Sequence, residues 1–533
     1  MDCIATRIPY RQANAFNKIV LDYIDQAAAL KSFFVHAPSL QGIQKAIDAR
    51  KQYPTDRATL VQELKKQYEG VEASDKVKNN IELLLSADTF TITTAHQNNL
   101  FTGPLYFIYK IIHAIKLAEH LRAAIPGRQF VPVFYMGTED ADLEELNHIY
   151  LQGEKLVWET NQTGAVGRMK IDKALLKLVD RIEGQLTVLP NGAEIISLLR
   201  KCYKDSATVQ DATFHFVDHL FAGYGLVVLL PDNAALKKQM TTVFEDDLLH
   251  QTASGIVENT AAQLQEFGYK VQANPREINL FYLRDDKRER IIKTGIRYKA
   301  KDMGLDLTVD EIRQELKKYP QRFSPNVILR GIYQETILPN IVFIGGGGEL
   351  AYWLQLKALF ENYKVPFPVL ALRNSFLFVE KKWQDKISRL GFSAEDFFLP
   401  EQELLNKLVT RESKHALGFN GSIREVEQLY EAFRKQATAI DSSLDKHVKA
   451  LKEKTVYRLQ ELEKKMLRAE KRKYTDQRRQ IQLIYEQLSP GGGLQERREN
   501  LLYYYAKWGD GFIQQLHHFS LGLEQEFVVM KEH

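Results

Sequence analysis

Four polar segments of this chain combine residue types at spacings suited to handling anions and amines. The first runs His96-Gln97-Asn98-Asn99-Leu100-Phe101-Thr102-Gly103-Pro104-Leu105-Tyr106, with Lys110 one turn further on. It joins a short β-branched stretch at 89–94 to a long apolar helical pattern at 105–124. Free N–H groups at such a helix start, reinforced by the macrodipole, favour a phosphate or carboxylate. Thr102 is placed to cap that helix, and Lys110 to reach the anion. An ordinary connection whose polar residues satisfy a turn has the same composition.

The second segment, Thr138-Glu139-Asp140-Ala141-Asp142 with Glu144, Glu145, Asn147 and His148, follows an apolar strand pattern at 130–136. Carboxylates at a strand end can hold a substrate amine, a metal ion or a ribose hydroxyl; Asp140 and Asp142 could equally cap the next helix. The third places Asn326, Arg330, Gln334 and Glu335 on one helix, where Arg330 and Gln334 are a turn apart and share a face. It suits either substrate contact or buried structural bonding. The fourth, Gly345-Gly346-Gly347-Gly348-Glu349 with Tyr352 and Trp353, lets backbone approach a ligand closely. It is neither a G-x-G-x-x-G fingerprint nor a P-loop, and its glycines could serve helix–sheet packing instead.

Elements must bring these segments together. Strand, helix, strand at 89–136 is the unit of a parallel sheet. Residues 224–230, apolar on both faces, read as an interior strand, and 340–344 and 368–372 as further strands. Stretches at about 150–200 and 268–322 read as insertions. The fold class expected is α/β: a Rossmann-like parallel-sheet core over 1–374 with inserted connecting segments, then a C-terminal antiparallel helical coiled-coil arm over 375–533. Within the arm, 423–488 is one long charged helical pattern without Pro or Gly, and Pro490 with Gly491 to Gly493 should force its reversal. The basic run Lys464, Lys465, Arg468, Lys471, Arg472, Lys473, Arg478 and Arg479 is interleaved with Glu461, Glu463, Glu470 and Asp476, and reads as a solvated coiled-coil face.

Composition narrows the function classes. With 533 residues the chain is too long for one core, and a net charge of +4 gives no global argument for nucleic acid or membrane. Cys3 and Cys202 form no disulfide framework and no zinc spacing, so no zinc is expected. No apolar run is long enough to span a bilayer, and residues 1–12 lack the apolar run of a secretory leader, so a cytoplasmic protein is expected.

Taken in order, Thr102-Gly103-Pro104-Leu105-Tyr106 with Lys110, Pro132-Val133-Phe134 with Glu139-Asp140, Asn326 with Arg330, and Gly348-Glu349-Leu350-Ala351-Tyr352-Trp353 resemble the cysteine ligases of bacillithiol biosynthesis. The resemblance covers nearly the whole chain. It implies a Rossmann core similar to class I aminoacyl-tRNA synthetases, a coiled coil pairing two subunits as a homodimer, and amide formation between L-cysteine and glucosaminyl-malate. Amide formation from a free acid is uphill, so ATP with Mg is the expected energy source. Lys110, Glu139, Asp140 and Arg330 are then the expected catalytic residues. His96, Gln97, Thr102, Gly103, Tyr106, His148, Asn326, Gln334, Gly345, Gly346, Gly347, Gly348, Glu349 and Tyr352 are expected to bind substrate or nucleotide. The chain has Ala95-His96-Gln97 where many relatives have Gly-Gln-Gln, and Ala141 where many have histidine, which leaves His96 as the histidine on hand. Two alternatives remain at this stage: a synthetase-like nucleotidyltransferase acting on another acid or a tRNA, and a non-catalytic coiled-coil assembly protein.

Overall fold

Five parallel strands carry the fold: β1 (Thr89–Gln97), β2 (Gln129–Gly137), β3 (Val227–Leu229), β4 (Asn340–Gly345) and β5 (Val369–Leu372), in the order β5-β4-β1-β2-β3. The computed structural model describes residues 1–205 and 207–533. Nearly every residue of these strands is buried, which is why they read as continuous β-branched and apolar runs rather than alternating ones. β1 and β2 stay in register from Thr89 opposite Gln129 to Gln97 opposite Gly137. Helix α1 (Tyr106–Ala124) makes the crossover, and its apolar residues lie on the sheet. Leu117 and Leu121 join Phe90, Ile92, Phe130, Val342 and Val369 in one core, each such side chain contributing about 1.5–3 kcal/mol by leaving water.

The strand order decides where a ligand can sit. From central β1 the chain builds outward through β2 to β3 on one side, then through β4 to β5 on the other. The crevice beyond the carboxyl ends of β1 and β4 is therefore the switch point, where open α/β sheets bind ligands. Helix α2 (Val327–Ile337) leads into β4, and α3 (Gly347–Trp353) leaves it.

One strand departs from the sequence reading. β3 lies at the sheet edge, not inside. Its free edge is covered by helix Arg57–Gln67 and the residue after it. Gln67 Nε2 donates to Val228 O at 2.8 Å, Leu230 N donates to Gln67 Oε1 at 2.9 Å, and Val228 N donates to the Tyr68 hydroxyl at 2.9 Å. Side chains thus replace a neighbouring strand, and an edge so covered has an interior composition.

By packing, the chain forms two units: Met1–Leu377 with Gly493–His533, and Phe378–Gly492. Residues 375–533, expected as the C-terminal helical domain, are divided between these two packing units. The last segment packs with the first unit, because the apolar strand Glu526–Glu532 pairs antiparallel with Cys3–Pro9. In the second unit the expected single helix over 423–488 is three: α5 (Asn420–Ile440), α6 (Leu444–Lys471) and α7 (Thr475–Leu488), preceded by α4 (Glu401–Glu412). The reversal comes at Asp441, whose side chain accepts the Ser443 N–H at 2.8 Å, and not at Pro490. Across the α5–α6 pair, Lys452 meets Glu431 at 3.0 Å, and the Tyr430 and Thr455 hydroxyls are 2.9 Å apart. Among the described residues, no helix is long and apolar enough to cross a membrane.

Candidate active site

A cavity of about 900 Å³ opens at the switch point, within the first unit. Two ion pairs structure it. Lys110, reaching up from α1, donates to Ala95 O at 2.6 Å and meets Glu349 Oε2 at 2.5 Å. The same Glu349 oxygen accepts the Gly346 N–H at 2.8 Å, so this carboxylate caps α3 and holds the lysine together. Burial lowers the Lys110 ammonium below its usual range, Glu349 raises it, and nearby Arg373 lowers it further.

Opposite, Arg330 of α2 grips Asp140 with both guanidinium nitrogens, one at 2.9 Å from Oδ2 and the other on Oδ1. Burial alone would raise the Asp140 carboxyl, but Arg330 outweighs it and holds the group below the ordinary carboxylate range. Two-point pairing of this kind fixes orientation as well as charge. His96 and Gln97 at the end of β1 lie between the pairs. The His96 ring stacks on Tyr106 with centroids 5.3 Å apart, and burial, then Lys110, keep it well below the usual imidazole value, hence neutral. Its Nδ1 is buried without a hydrogen-bond partner among the described residues. Gln97 faces the Asp140 and Glu145 carboxyls. Asn326 caps α2 by accepting the Ile328 N–H at 2.8 Å and also faces the cavity, as does Tyr352.

Gly346, Gly347 and Gly348 line the cavity, and none of them takes a positive φ. A Cβ on Gly348 would find nothing closer than Gln272 Nε2 at 4.0 Å, so the space beside it is open to a ligand.

Six expected binding or catalytic residues fall outside this cavity. Glu139 turns the other way to pair with buried Lys237, which also reaches Asp232 at 3.3 Å and Gln321 O at 3.1 Å; burial pushes the Glu139 carboxyl up. Thr102 does not cap α1, which begins at Tyr106 without a side-chain cap. The residues around it are instead tied to the C-terminal segment: Asn500 Nδ2 donates to Phe101 O at 3.0 Å and to Gly103 O at 2.5 Å, and Leu105 N donates to Glu499 O at 2.8 Å. His148 starts the hairpin strand His148–Leu151, edge-on to Tyr150. Gln334 donates to Glu335 at 2.9 Å, and Glu335 binds buried Arg50 at 2.8 Å, so this half of the α2 stripe is structural. Gly345 is a packing glycine, since a Cβ there would lie 2.8 Å from the Phe343 ring.

Sequence comparison then fixes the lineage. Residues 1–374 match the Bacillithiol biosynthesis BshC N-terminal Rossmann-like domain, and residues 376–532 match the corresponding C-terminal coiled-coil domain. The chain belongs to the BshC family. Relatives in that family include proteins of Flavobacterium johnsoniae (38% identical, 99% of both chains) and Cytophaga hutchinsonii (38%, 93% of both). A Salinibacter ruber protein is 30% identical over 96% of both chains, and all three carry the name "Putative cysteine ligase BshC".

Several cavity residues of this BshC-family chain were not expected from the sequence, Arg288 and Arg373 chief among them. Arg288, on the inserted hairpin, donates to Ser324 Oγ at 2.9 Å, lies 3.8 Å over the Phe281 ring and faces Asp140. Arg373, just after β5, donates to Glu496 at 2.6 Å and lies 5.2 Å over the Tyr106 ring. Arg373 follows a buried strand directly, a position where a charged residue needs a reason, and that signal was readable. Nothing in the sequence around Arg288 marks it out. Among the described residues, no group of three or more His, Cys, Asp or Glu side chains is arranged to hold a metal ion.

Proposed function

We propose that this chain is a ligase joining the carboxyl group of L-cysteine to the amino group of glucosaminyl-malate, with ATP and Mg as the energy source. The observation that carries this reading is the pairing of Asp140–Arg330 and Lys110–Glu349 across one cavity at the switch point of a BshC-family chain. Such a site offers an ionised carboxylate for an amine and cations for an acyl or phosphoryl oxygen.

Asp140, kept charged by Arg330, orients the incoming amine. The neutral His96 imidazole and the Asp140 carboxylate are the acceptors on hand for the proton the amine must lose. Arg330 and Lys110 stabilise negative charge developing on the acyl oxygen. Gly347 and Gly348 let backbone approach a phosphate closely, with Arg373 beyond them. Bound there, a nucleoside triphosphate supplies the activation of the cysteine carboxyl that amide formation requires. The second unit pairs two copies as a homodimer; Leu429, Phe433 and Ile440 of α5, at 51%, 46% and 84% exposure, give that pairing an apolar surface. Incubating the purified chain with both substrates and Mg-ATP, and following the cysteinyl product by mass, tests the reading. Lys110→Met and Arg330→Gln should abolish the product while leaving the fold intact, and full activity in either variant would remove its role.

A further inference from the structure

The second unit holds another concave site, independent of the chemistry proposed above. Lys464, Arg468 and Lys471 of α6, with Arg472 and with Arg478 of α7, line a hollow of about 640 Å³. Gln402 and Asn406 of α4 close one side. Positions 464, 468, 471 and 472 recur at helical spacing and so share a face. The break between α6 and α7 then swings Arg478 back onto the same hollow.

In the sequence this run looks neutralised by interleaved carboxylates. The structure directs Glu463 and Glu470 elsewhere and leaves Glu461 at the rim. Glu461 pairs with Lys464 at the rim, at 2.9 Å, and is near enough to feel Arg468; Glu470 meets Lys473 at 2.7 Å and accepts from Ser413 at 3.2 Å; Glu463 accepts the Phe419 N–H. No Asp or Glu lines the hollow, and among the described residues Arg468, Lys471, Arg472 and Arg478 make no ion pair. Burial, and then Arg478 and Arg468, depress the Lys471 ammonium, which registers the repulsion of unneutralised cations. Clustered like charges at one helical face cost the helix stability, and a multivalent anion reverses that cost.

The lining identifies the kind of anion. Three guanidinium groups suit two-point bonding to phosphate oxygens, and the two polar side chains of α4 can donate beside them. No aromatic side chain lines the hollow, so a nucleobase has nothing to stack on. We propose that this hollow binds a short phosphate chain, as in tripolyphosphate or the phosphate tail of a nucleotide.

The test uses the full chain, titrated calorimetrically with tripolyphosphate and, separately, with ATP, while hydrogen exchange is followed along residues 464–478. Saturable tripolyphosphate binding that protects 464–478 is expected. Arg468→Gln with Arg478→Gln should weaken it about tenfold or more, Arg468→Lys with Arg478→Lys less, and Lys110→Met in the first unit not at all. With affinity read from the protection at 464–478, equal affinity for ATP identifies the bare chain of phosphates as the ligand, and tighter ATP binding identifies a nucleotide tail. Absence of protection at 464–478, or unchanged binding in the Arg-to-Gln double variant, overturns the proposal. So does displacement of tripolyphosphate by an RNA oligomer whose affinity grows with length, which would make the surface a nucleic-acid track.

Discussion

Lys110 Nζ lies 2.5 Å from Glu349 Oε2, joining the helix after β1 to the helix after β4 across the switch point. The two partners are unequally placed: the Lys110 side chain is 2% exposed and that of Glu349 25%. Glu349→Gln strands a buried ammonium with only the Ala95 carbonyl, whereas Lys110→Met leaves a carboxylate that water can reach. The glutamine variant should therefore lose about 3 kcal/mol in urea denaturation and the methionine variant clearly less. Equal losses would mean that the pair is not buried as described.

Asp140 and Arg330 form the other half of the site. Asp140→Asn leaves the guanidinium unneutralised and removes the ionised anchor for an amine, so kcat should fall about 100-fold. Arg330→Lys keeps the charge but cannot make both bonds, and steady-state rates should place it between wild type and Arg330→Gln. Wild-type kcat in Asp140→Asn would show that the carboxylate takes no part.

The sequence disclosed the sheet and the neighbourhood of the site, because buried parallel strands leave long apolar runs and the polar segments follow them. Lys110, Asp140 and Gly346 could be placed near one another by that rule, whereas Arg330, on the helix that leads into β4, could not. Direction within a segment was not legible. Glu139 and Asp140 are adjacent, yet the turn that follows β2 sends one to Lys237 and the other to Arg330. Gln334 shares a face with Arg330 on paper, but Arg50 and Glu335, joined from distant segments, claim its surroundings. Arg288 reaches the cavity only through the fold of an insertion. The edge position of β3 was hidden for a related reason: its missing neighbour is supplied by the Gln67 and Tyr68 side chains.

That edge makes a stability prediction. Tyr68→Phe preserves the packing of the ring but leaves the buried Val228 N–H without its partner. A loss of about 1–3 kcal/mol is expected in chemical denaturation. A neutral result would indicate that this N–H is satisfied elsewhere.

His113 should confer acid sensitivity on the first unit. It is fully buried, with Asn374 N donating to Nδ1 at 3.2 Å and Nε2 2.8 Å from Gly522 O, an arrangement that requires the neutral ring. Burial holds its pKa down from 6.5 to about 4. With the folded value depressed, its contribution is complete above pH 6.5 and is lost as pH falls toward 4, by about 3 kcal/mol in all. His113→Gln should flatten the fall in thermal stability across that window, and an unchanged pH profile would contradict the assignment.

Ligase activity is tested by mass spectrometry of the purified chain with glucosaminyl-malate, L-cysteine and Mg-ATP, each omitted in turn. A cysteinyl amide of glucosaminyl-malate is expected only in the complete mixture, and it should disappear with Lys110→Met. Intact substrates in the complete mixture, with the protein folded, would contradict ligase activity.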